Sequence, residues 1–132
     1  MQRNFAVRQF AREFLSALVQ EFKASFGWPS PLEVREEAQD RLVLLANRRL
    51  IVADRKAKTV RSGGRLLASF NAITSIEIKH SHNNEGPEVW VVSLRLIRDR
   101  RVVIGESADD TDASLVAAKL STITGKKVLA FA

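Results

Sequence analysis

Hydrophobic positions along this 132-residue chain recur with one period up to Phe26 and another after Pro31. In the first stretch Phe10, Phe14, Leu18 and Phe22 form one helical row, and Ala11, Leu15, Val19 and Phe26 form its neighbour. No proline interrupts residues 3–26, and Gly27 stands where a left-handed helix cap belongs, so the pattern predicts one long amphipathic helix. At 100° per residue the two rows span an apolar arc of about 180–200°, wider than one core requires. The surplus width implies a second contact: another part of the chain, a second copy, a protein partner or a membrane surface. The segment "GWPSP" (27–31) then breaks the helix and stiffens the joint. This places a boundary between an N-terminal helix (1–28) and a second region (29–132).

Beyond that joint the period falls to two. "LEVREE", "RLVLLA", "RRLIVAD", "KTVRS", "RLLASF", "TSIEIKH", "VWVVSLRLI" and "VVIGE" read as short strands. In the third, Leu50 and Val52 share one face and Ile51 and Ala53 the other. Gly63-Gly64 suits a hairpin turn needing positive φ. In "TSIEIKH" the alternation puts Ile76 and Ile78 inward, with Glu77 and Lys79 outward; Trp90, Val92, Leu94 and Leu96 line one face of the next strand. Near the C-terminus Ala113, Val116, Ala117, Leu120 and Ile123 return to helical spacing, and Gly125 ends the run. "VLAFA" is a short apolar tail that suits one more strand. The acids Asp109, Asp110 and Asp112 sit where an N-cap and a first helical turn belong, which accounts for them without a metal. About seven strands joined by tight turns and closed by one helix predict a bent antiparallel barrel or sandwich.

That order resembles the pleckstrin-homology-like (PH-like) domains of bacteria. "LLANRRLIVADRKAKTV" followed by "LASFNAITSIEI" is similar to the family's strand, hairpin and I-x-x-I-x-I strand. "VWVVSLRLIRDRRVVIGES" looks like its central hairpin and "DASLVAAKLSTITGKKV" like its capping helix. The resemblance covers about residues 32–130 and leaves out the N-terminal helix. It implies an α+β fold: a PH-like bent antiparallel β-barrel of about seven strands with a C-terminal capping helix, preceded here by the long N-terminal amphipathic helix. It also implies a non-enzymatic module that self-associates or binds proteins, with no cofactor. Phosphoinositide-binding members carry a basic motif in the first hairpin. Here that turn is the acidic "EEAQD", so the family's lipid site does not carry over.

Composition sharpens this picture in three ways. There is no cysteine, so neither disulfides nor thiolate chemistry enters, and no apolar run is long enough to span a bilayer. A cytoplasmic protein is the expectation. The net charge is +6, and residues 41–65 hold eight cations (Arg41, Arg48, Arg49, Arg55, Lys56, Lys58, Arg61, Arg65) against one acid, Asp54. Seven of these, all but Arg41, form a candidate site for anionic lipid or nucleic acid. The same charges also suit a solvated strand surface that keeps edges from pairing, and the segment holds no aromatic on which a base would stack.

Candidate chemistry is sparse. His80 and His82 point to one side of a strand, yet a metal needs three or four ligands, and His80 shares the face of Ile76 and Ile78. A rim-of-core histidine is the plainer reading. No G-x-S-x-G motif occurs, so no nucleophile, base and orienter assemble from the sequence. The leading expectation is therefore an interaction or assembly module, with Phe10, Phe14, Leu18 and Phe22 as candidate interface residues. The alternative is peripheral binding of an anionic surface through the basic segment.

Overall fold

A computed structural model of the chain describes residues 32–81, 86 and 88–131. The expected N-terminal helix, with Phe10, Phe14, Leu18 and Phe22, lies outside the described residues, as do the joint at 27–31 and His82. The described residues form nine strands and one α-helix. Strands β1 (Leu32–Glu37), β2 (Arg41–Ala46), β3 (Arg49–Asp54), β4 (Thr59–Ser62) and β5 (Arg65–Ser69) make an antiparallel sheet in sequence order. A single 3₁₀ turn, Phe70–Ala72, leads into a second sheet. That sheet contains β6 (Ile73–Ser81), β7 (Val89–Leu96), β8 (Arg100–Ser107) and, after helix α1 (Asp110–Thr124), the short strand β9 (Val128–Phe131). Its order is β8-β7-β6-β9, with β9 running parallel to β6.

The expected closed barrel of about seven strands is not what forms. There are nine strands in two sheets, and the sheets do not close on each other. The reason lies at the two seams. Closure would need β5 to pair with β6, but the free edge of β6 is taken by β9, with Ile76 opposite Val128 and Lys79 opposite Phe131. At the other seam, side chains stand in for a strand on β8. The Asn47 amide accepts from the Glu106 N–H at 2.8 Å and donates to the Glu106 carbonyl at 3.3 Å. The Arg49 guanidinium donates to the carbonyls of Ile104 (3.2 Å) and Val103 (3.4 Å). Backbone groups at an edge must find partners, and here they find them without a tenth strand.

The core lies between the sheets and under the helix. Leu42, Leu44, Ile51, Val60, Ile76, Val92, Leu94, Ile104 and Leu120 belong to it and are fully or almost fully buried. The alternation read from the sequence gives most of these positions. Ile51 and Ala53 face the core, and Leu50 and Val52 face away. Val92, Leu94 and Leu96 are buried, with Trp90 packed against the cluster. Gly63 adopts φ +61° in the two-residue turn between Ser62 and Arg65, as a tight hairpin demands.

Helix α1 begins and ends on the expected residues. The Asp109 carboxylate caps it by accepting from the Thr111 N–H at 2.9 Å. Ser107 is a second tie: its hydroxyl accepts from the Asp109 N–H (3.0 Å) and donates to Asp112 (3.3 Å). Gly125, at φ +76°, closes the helix and donates to the Ser121 carbonyl. Its apolar stripe, Ala113, Val116, Ala117, Leu120 and Ile123, is buried against both sheets.

One outward assignment needs correction. Glu77 lies on the face of β6 turned away from the core, as the alternation predicts, but it is 5% exposed and not a solvated side chain. Its carboxylate accepts from Arg101 at 2.8 Å and from Arg95 at 3.4 Å. Alternation reports which face a residue is on; it does not report whether neighbouring side chains cover it.

Two measurements check these constraints. A methyl group at Gly105 would lie 2.6 Å from Asn47 Oδ1 and 3.0 Å from both Ala46 Cβ and Leu32 Cδ1. Asn47 cannot swing aside without losing its two bonds to Glu106, so Gly105→Ala is expected to destabilise by about 1–3 kcal/mol in urea unfolding. At the helix start, Asp109→Ala is expected to cost about 0.5–2 kcal/mol. Asp110→Ala, which removes only a first-turn charge, is expected to cost about 0.3–1 kcal/mol. A larger loss for Asp110→Ala than for Asp109→Ala would show that Asp109 is not the cap.

Candidate functional site

The seven-cation candidate does not form one surface. Arg49 and Arg55 are both engaged with backbone. Arg49 bonds the carbonyls of β8, and Arg55 donates to the carbonyls of Thr122 (3.2 Å) and Ile123 (3.4 Å) at the end of α1. Those carbonyls are among the last-turn acceptors that a helix leaves without internal partners, so Arg55 acts as a C-terminal cap. Lys56 sits in the β3–β4 turn, 3.7 Å from Asp40. Lys58, at φ +56°, occupies the same turn. Arg48 sits at the opposite end of the sheet, in the Asn47-Arg48 turn, where both residues have positive φ. Arg61 and Arg65 lie on β4 and β5 beside the Gly63-Gly64 turn, near the end that carries Arg48. The cluster is thus split between two ends of one sheet, with two of its members buttressing the fold.

His80 packs flat on Trp90, with ring centroids 4.5 Å apart and planes 5° from parallel, and its Nε2 bonds the Glu88 carboxylate at 2.9 Å. Among the described residues no group of three or more His, Asp or Glu converges as a metal site would. Between the β1–β2 turn and the last turns of α1 lies a cleft of about 350 Å³ lined by Glu37, Gln39, Leu42, Arg55, Lys119 and Thr122. Its charged groups are occupied: Lys119 pairs with Glu37 at 3.0 Å, and Arg55 caps the helix.

The surface that sequence reading passed over is the outer face of the five-stranded sheet. Register places Leu45 beside Leu50, Val43 beside Val52, Val52 beside Arg61, and Arg61 beside Leu66. None of these belongs to the core cluster. Leu50 and Leu66 are 54% and 49% exposed, while Val43, between its neighbours, is 8% exposed. The acids Glu33 and Glu36 of β1 lie on the same face, opposite Leu45 and Val43. The signal was present in the sequence: "LVLL" and "LIV" are continuous apolar runs, and a strand with one wet face alternates. Such runs imply apolar side chains on both faces.

On the other sheet Glu77, the one charged side chain buried among the described residues, is held by Arg95 and Arg101. The Arg101 guanidinium is held above its ordinary pKa, first by its hydrogen bond to Glu77 and then by that carboxylate's charge. Arg95 also pairs with Asp99, four residues on. The carboxylate is covered while the guanidiniums are a third to half exposed. Removing the acid therefore frees two groups that reach water, whereas removing both cations strands a buried charge. Glu77→Gln is expected to destabilise by about 1–3 kcal/mol. The Arg95→Ala, Arg101→Ala double substitution is expected to destabilise by more, both read from urea unfolding at pH 7. The reverse order would show that Glu77 is not buried in solution.

Among the described residues no helix is long and apolar enough to cross a membrane. No protein-family model matches the chain, and no curated protein or solved structure matches it.

Proposed function

We propose that this chain is a non-enzymatic interaction module that docks protein through the outer face of its five-stranded sheet. The observation that carries the reading is the apolar row of Leu45, Leu50 and Val52 over a covered Val43, with Leu50 about half exposed and Leu66, also about half exposed, on the far side of Arg61. Contiguous apolar surface on a sheet face is costly to leave in water and marks contact with another macromolecule. From the sequence alone, the row Phe10, Phe14, Leu18 and Phe22 is a second contact in the same reading.

The alternative, peripheral binding of phospholipid headgroups or nucleic acid, has less support. Arg49 and Arg55 are committed to backbone carbonyls, and the remaining cations are divided between two ends of the sheet. A phosphate-reading surface gains from several cations acting together.

Site-specific photocrosslinking separates the two readings. A photoreactive phenylalanine analogue placed at Leu66, in cells making the full chain at its native level, is expected to give discrete protein adducts. The same group at Leu115, exposed on α1, is expected to give none. Sedimentation with phosphatidylserine vesicles and a nucleic-acid shift assay at about 50 mM salt are expected to show no binding, since phosphate contacts are strongest there. Binding in either assay that Arg48→Glu with Lys58→Glu abolishes, with no adducts from Leu66, would replace the docking reading with the anionic one.

A further inference from the structure

We draw no further inference here: the strongest candidate, the outer edge of β9, a sheet-edge strand whose Val128 and Phe131 are 36% and 45% exposed, carries nothing, because nothing in the structure shows what pairs with it.

Discussion

The approach of β8 to the β2–β3 turn fixes much else in this fold. Gly105 has no side chain where Asn47, Ala46 and Leu32 come closest, and that gap lets Asn47 reach the backbone on both sides of Glu106. Arg49 then bonds two more carbonyls of the same strand. Four backbone groups at a sheet edge are satisfied by two side chains from the facing sheet, and that is why the sheets hold together here without sharing a strand. A barrel solves its edge problem by closure. This chain solves it at one seam with Asn47 and Arg49 and at the other with β9. The cost is dependence on few residues: a methyl group at position 105 pushes on three neighbours at once.

The hairpins were legible because each is specified locally. Period-two alternation, the Gly63-Gly64 turn and the Asp109 and Gly125 caps all act within a few residues, and each forms as its sequence predicts. What escaped is what depends on distant partners. β9 pairs parallel to β6, some fifty residues earlier, and nothing in "VLAFA" states which edge it will take. Without that pairing the strand order favours closure, and with it closure is blocked. Glu77 shows a subtler limit. Its face was correct and its burial was not, because cover comes from Arg95 and Arg101 on two other strands.

Charge was the least transferable sequence signal. Seven cations between residues 48 and 65 resemble a site when counted along the chain. In three dimensions the strands carry them alternately to opposite ends of the sheet, and Arg49 and Arg55 fold inward onto carbonyls. A guanidinium is a rigid fork with five donors, well matched to paired backbone oxygens at a strand edge or a helix terminus. The positive charge of these two residues is thus spent on backbone carbonyls, and net charge overstates the surface available to an anion.

The outer face of the five-stranded sheet carries the converse lesson. β2 and β3 carry apolar side chains on both sides; one side builds the core, while on the other Leu50 is half exposed and Val43 is covered. The two sides are not interchangeable. Ile51 and Ala53 are enclosed by the second sheet and α1, which forces a fixed packing, whereas Leu50 and Val52 lie in a more open row between β1, where Glu33 pairs with Arg35, and Arg61 of β4. A core position is constrained by volume. A face position of this kind is constrained by the charges beside it: Arg41 and Asp54 stand on the same face, one step along the strands from Val43 and Val52.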